Sequence, residues 1–170
     1  CDRHALPYEV FTKNPLQPNV VISIGNDDGP TLVMNGHLDT VPVSDPDSWI
    51  SDPYEPRISE DGKKIFGRGA SDMKSSTGIM MLMMRLFKDA SLRGRLQAHV
   101  VSDEETGGSQ GTVFLMDEIA AGRLIKPDYC LIGEKSDLKV RNAERGLFQI
   151  QIVFHGRASH TAAARATGIN

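Results

Sequence analysis

In the first third of the chain, apolar residues come in short runs separated by turn formers; further on they recur at helical spacing. Val20 to Ile24 is a short apolar run that predicts a strand. Gly25-Asn26-Asp27-Asp28-Gly29-Pro30 is dense in turn residues, and Thr31 to Asn35 predicts a second strand. The two strands are expected to form a hairpin or to lie as neighbours. Residues 41–56 hold four prolines and several aspartates and read as an irregular surface loop. Arg57-Ile58-Ser59 and Lys64-Ile65-Phe66 flank Glu60-Asp61-Gly62-Lys63, the pattern of a small hairpin.

Met73 to Ala90 predicts a helix, with Ile79, Leu82, Met83, Leu86 and Phe87 at helical spacing. Its methionines, Met80, Met81, Met83 and Met84, read as core packing rather than as a soft-metal surface. Leu96 to Ser102 predicts a strand that ends at an acidic turn. Thr112 to Ala121 predicts a second helix closed by Gly122. Tyr129 to Ile132 predicts a buried strand, with Cys130 buried inside it, and Leu138 to Val140 a further short one. In Leu147 to Phe154, Phe148, Ile150, Ile152 and Phe154 share one face, as in a half-exposed strand. Strands alternating with helices predict an α/β sandwich. The last strand opens a different sheet, which puts a domain boundary near Ala143, between residues 1–142 and 143–170.

Composition narrows the picture. Among 170 residues, 39% are hydrophobic and 24% charged, as in an ordinary globular protein. The net charge of −3 gives no basic excess to favour nucleic acid or an anionic membrane. Two distant cysteines, Cys1 and Cys130, make no disulfide framework, so a reducing cytoplasm is the expected compartment. No segment is apolar and long enough to span a bilayer, and no signal peptide opens the chain. The first residue is Cys1 and the last stretch is Gly168-Ile169-Asn170, which reads as an internal portion of a longer polypeptide.

The ionisable residues fall on this skeleton in a telling way. Strand 31–35 is followed by Gly36-His37-Leu38-Asp39, strand 96–102 by Asp103-Glu104-Glu105, and strand 129–132 by Gly133-Glu134; Asp72 precedes the first long helix. Ligands of open α/β sheets bind at the C-terminal ends of strands. Carboxylates with imidazole suit zinc, cobalt or manganese, and the cysteine count excludes a thiolate-rich structural site. Two divalent ions would be balanced by Asp72, Glu105, Glu134 and a bridging hydroxide. Asp39, two residues after His37, is placed to orient the imidazole. In the Glu104-Glu105 pair one side chain can bind metal while the other handles the proton of an attacking water.

Four motifs in order carry a resemblance. Gly36-His37-Leu38-Asp39-Thr40-Val41-Pro42, Gly67-Arg68-Gly69-Ala70-Ser71-Asp72-Met73-Lys74, Asp103-Glu104-Glu105-Thr106-Gly107-Gly108 and Gly133-Glu134 make the chain similar to a family of dinuclear zinc metallopeptidases. That family comprises acetylornithine deacetylase, succinyl-diaminopimelate desuccinylase, aminoacylase and glutamate carboxypeptidase. The resemblance runs from about His37 to Asn170. It implies metal ligation by His37, Asp72 (bridging both ions, with a cis peptide bond after it), Glu105 and Glu134. Glu104 would be the general base and Asp39 the residue that orients His37. In Gly156-Arg157-Ala158-Ser159-His160-Thr161 it implies the start of a lid domain whose His160 stabilises the oxyanion, often across a homodimer. Lys135 after Glu134, and Arg165, depart from the family, which often has Pro at both positions. A further metal-binding histidine and the residues that grip the substrate carboxylate are expected downstream.

The resemblance thus implies a zinc-exopeptidase-like three-layer α/β sandwich with a mostly parallel twisted sheet, followed by the start of a ferredoxin-like lid. It implies a cytoplasmic homodimer holding two Zn2+ (or Co2+ or Mn2+). The activity it implies is hydrolysis of an N-acyl amino acid by a bridging hydroxide. A di- or carboxypeptidase of the same chemistry is the alternative, and a non-catalytic paralogue a third reading.

Overall fold

The computed structural model describes residues 1–146, 148, 150–153 and 155. Its strands are β1 (Tyr8–Phe11), β2 (Asn19–Gly25), β3 (Thr31–His37), β4 (Arg57–Ile58), β5 (Ile65–Phe66), β6 (Arg95–Val101) and β7 (Tyr129–Ile132). Its helices are α1 (Ser75–Phe87) and α2 (Thr112–Ala120). The chain divides into two units, Cys1–Leu138 and Lys139–Asn170, and every element named here lies in the first.

The main sheet has the order β1-β2-β6-β3-β7. β3 pairs parallel with both β6 and β7, while β2 runs antiparallel to β1 and β6. Only β2 therefore opposes the common direction, and the α/β class with a mostly parallel sheet holds. β4 and β5 form the small hairpin expected for the segment around Glu60-Asp61-Gly62-Lys63.

Two apolar layers cover the sheet. On one face Met73, Met80 and Met84 of the first helical region pack on Ile22, Ile24, Met34 and Ala98. On the other, Leu115 and Leu124 pack on Val21 and Val101. Successive strand residues point to opposite faces, so Val21 and Ile22 serve different layers. Met80 and Met84 are core residues, as the sequence suggests, with Met81 and Met83 packed at the margin. The Ile79, Leu82, Leu86 stripe is exposed. The helix is apolar on two faces, and the thinner, more pliable methionine face is the one that meets the sheet.

Three expectations need correction. β2 and β3 are not a hairpin, because β6 lies between them. The turn between them bonds to the start of β6 instead: Asn26 N–H donates to the Gly94 carbonyl at 3.0 Å, and Arg95 N–H to that of Pro30 at 3.0 Å. The approach is so close that a side chain on Gly94, at φ +106°, would collide with the Pro30 carbonyl oxygen. β7 is exposed along its length, and so is Cys130, because among the described residues β7 lies at the edge of the sheet. Leu138–Val140 is not a strand; both residues are fully exposed, and no neighbouring strand among the described residues pairs with them. The strand expected over 147–154 falls partly outside the described residues, and His160 wholly so.

The sheet buries one histidine away from the strand ends. His99 is 4% exposed, and burial pushes its pKa down to about 4. An unfolded chain protonates near 6.5, above the folded value. Keeping His99 neutral therefore favours the fold fully above pH 6.5, and that contribution is lost as pH falls towards 4. At pH 5 the loss is about 2 kcal/mol. Chemical denaturation of the intact protein at pH 7 and pH 5 should show this gap, and H99Q should narrow it. An equally steep acid loss in H99Q would refute the assignment.

Candidate metal centre

Three loops at the C-terminal ends of β3, β6 and β7, with the turn before α1, deliver the ionisable residues. His37 ends β3 and is 1% exposed. Its Nδ1–H donates to the Asp39 backbone carbonyl at 3.0 Å, with Asp39 Oδ1 at 3.4 Å. A carbonyl oxygen only accepts, so this bond places a proton on Nδ1 and leaves Nε2 to face the carboxylates. Nε2 faces Asp72 Oδ1 at 3.1 Å, Glu134 Oε1 at 3.1 Å and Glu104 Oε2 at 3.8 Å. His37 Nε2 thus meets two carboxylate oxygens at 3.1 Å, with a third just beyond them.

That arrangement fits a cation. A tetrahedral ion with bonds of about 2.0–2.2 Å sets its ligand atoms roughly 3.3–3.6 Å apart, close to the observed spacing. His37, Asp72 and Glu134 form one group able to hold a metal, and His37, Glu104 and Glu105 a second. The buried Asp39 Oδ1 has no hydrogen-bond partner and stands 3.4 Å from His37 Nδ1. An orienting carboxylate of a metal-bound imidazole has this placement. The other oxygen, Asp39 Oδ2, accepts the Glu105 N–H at 2.9 Å. Asp39 therefore ties the His37 loop to the acidic loop, with its backbone rather than its carboxylate making the shorter bond to the ring.

Local sequence explains how the four segments approach. Asp72 and Met73 leave helical geometry inside the turn Ala70–Lys74, and the Asp72–Met73 peptide bond is cis. The non-helical φ and ψ of Asp72 and Met73 are why α1 starts at Ser75, later than periodicity predicts. Gly36, within β3, and Gly133, just after β7, immediately precede His37 and Glu134. A Cβ on Gly36 would come within 2.9 Å of Met73 Cε and 2.8 Å of Thr77 Oγ1; one on Gly133 would come within 2.7 Å of Met80 Cε. The two glycines let the start of α1 settle onto the strand ends, which brings Asp72 beside His37 and Glu134. Thr77 locks the contact by donating to the His37 carbonyl at 3.1 Å.

The acidic loop has its own clamp. Asp103 sits at φ +74°, and its side chain accepts from the Thr106 hydroxyl, from Ser109 Oγ at 3.2 Å and from Gln110 N–H at 2.8 Å. Asn19, fully buried in β2, donates to the Gln110 carbonyl at 2.8 Å and accepts the Ser102 N–H at 3.1 Å. Sequence reasoning missed Asn19, since an asparagine opening a strand carries no spacing signal.

Electrostatics follow from the crowding. Burial works to lower the His37 pKa, but the Asp39 carbonyl and the charges of Asp39, Glu104 and Glu134 outweigh it and hold it above its ordinary value. Burial and the neighbouring Glu105, Glu134 and Asp39 raise Glu104, against the pull of His37. Burial would raise Asp72 too, but Lys135 and His37 hold it below the usual carboxylate range. Lys135, noted in the sequence only as a departure, reaches Asp72 Oδ2 at 3.0 Å.

Residues 33–167 match the description of peptidase family M20/M25/M40. The fold is similar to that of human carnosine dipeptidase 1, with a TM-score of 0.63 at 22% identity, over 79% of this chain and 30% of that one. It is also similar to the M20 family metallo-carboxypeptidase Sso-CP2 from Sulfolobus solfataricus, with TM-score 0.62 and 23% identity, over 75% of this chain and 28% of that one. The dipeptidase Dug1p from Saccharomyces cerevisiae gives TM-score 0.60 and 20% identity, over 77% of this chain and 30% of that one. The chain spans under a third of the length of these solved structures.

Proposed function

The chain belongs to peptidase family M20/M25/M40, and on that premise we propose that the intact protein is a metal-dependent hydrolase of an amide bond in an N-acyl amino acid. The observation that carries the reading is the convergence of His37 Nε2 with Asp72 and Glu134 at 3.1 Å, with Glu104 beside them. The second reading, a di- or carboxypeptidase, has support of equal weight, because the similar solved structures carry those descriptions.

His37, Asp72 and Glu134 would hold one ion, and Asp72 with Glu105 would hold part of a second; zinc suits the mixed nitrogen and oxygen donors best. When bound, such ions supply Lewis acidity towards the amide carbonyl and make a nearby water more acidic. Glu104 takes the proton of the attacking water on its carboxylate and returns it to the departing nitrogen. Its raised pKa suits both halves of that task, since a weaker acid is a better base. Asp39 keeps the proton of His37 on Nδ1. His160 would stabilise negative charge on the carbonyl oxygen. The segment from Ala143 would begin a lid through which a cytoplasmic homodimer forms.

A panel of N-acetyl and N-succinyl amino acids against dipeptides, with the full-length protein loaded with Zn2+ or Co2+, tests this. Turnover of the acylated amino acids is expected. Turnover of dipeptides alone would favour the second reading. No turnover on either class by metal-loaded protein would overturn both.

A further inference from the structure

The two oxygens of Asp72 are differently engaged. Oδ1 faces His37 Nε2 at 3.1 Å, and Oδ2 faces Lys135 Nζ at 3.0 Å. A carboxylate that bridges two ions gives one oxygen to each. None of the first ion's donor atoms, His37 Nε2, Asp72 Oδ1 and Glu134 Oε1, is the atom that Lys135 contacts, although the ammonium's charge reaches Glu134 as well as Glu105. The oxygen left for the second ion is the one that the ammonium already holds.

We propose that Lys135 is a built-in counter-cation that makes the two ions enter in order, the His37–Asp72–Glu134 position filling before the position on Asp72 Oδ2 and Glu105. This rests on the two-ion reading above. The first ion binds with Lys135 in place and leaves its partner untouched. The second must displace the ammonium from Oδ2 and then sit near it, so it meets both a competitor and a like charge. Displacement is feasible: the Lys135 side chain is 59% exposed on a flexible four-carbon stem, and an exposed ion pair is a weak one. In the family at large a proline often stands here and offers no such charge. The device would therefore be particular to chains with a cation at this position.

Calorimetric titration of the full-length apoprotein with Zn2+ tests the inference on parent, K135M and K135R. Lys135 is exposed and on a loop, so neither change threatens the fold. The parent should show two dissociation constants well apart. K135M should tighten the weaker constant by about tenfold and the stronger one by clearly less. K135R, which keeps the charge, should stay near the parent. Two ions bound with the same constants in parent and K135M would overturn the role of Lys135 while leaving the two-ion centre standing. A single ion in every protein would overturn the two-ion reading and this inference with it.

Discussion

Replacing Glu104 with alanine should lower kcat of the intact enzyme by about 10²–10⁴-fold, the range of a lost general acid–base, while metal content stays unchanged. Glu104 Oε2 stands 3.8 Å from His37 Nε2, outside the 3.1 Å ring of donors, and its carboxylate is half exposed towards solvent. It is therefore near enough to act on a water at the centre, and the His37, Asp72 and Glu134 group can hold an ion without it. Elemental analysis beside steady-state kinetics separates the two roles. Near-parent turnover would remove Glu104 as the base; loss of metal would make it a ligand.

Replacing Asp72 with alanine should have the opposite signature. Asp72 contributes one of the two oxygens 3.1 Å from His37 Nε2, and its second oxygen, paired with Lys135, is the one proposed to serve a neighbouring ion. Removing an orienting residue costs roughly 10–100-fold in metal affinity, and loss of a donor shared by both positions should exceed that. Glu134, Glu105 and His37 would remain, one donor short on each side. Dialysed D72A is expected to retain little metal and to lose activity in proportion. Full occupancy after dialysis would show that Asp72 is not a ligand. The two variants together discriminate between a lost proton carrier and a lost cradle, which activity alone does not.

Much of the candidate centre is legible because His37, Glu104, Glu105 and Glu134 sit at strand ends, where apolar runs stop and His, Asp or Glu follow at once, while Asp72 precedes α1. The runs before His37 and Glu134 are β3 and β7, and the glycine preceding each donor faces the start of α1. What failed to show was pairing. Nothing local tells that β6, far downstream of the turn, enters between β2 and β3; that depends on contacts distant in sequence. The burial of β7 was overestimated for the same reason, because an apolar tetrapeptide does not reveal whether it lies inside or at the edge of a sheet. Position on the sheet likewise decided which stripe of α1 was buried: Met80 and Met84, not Ile79 and Leu82. The contact between Lys135 and Asp72 joins residues far apart in the chain and had no pattern to announce it.

The pairing of β3 with β7 has a consequence for biosynthesis. His37 leaves the ribosome almost a hundred residues before Glu134, and Asp72 falls between them. A nascent chain that has not yet reached β7 carries His37 and Asp72 but has no β7 to align Glu134. On the proposed ligation, tight capture of metal waits for β7 to dock beside β3, so an ion held there reports that this parallel pairing has formed.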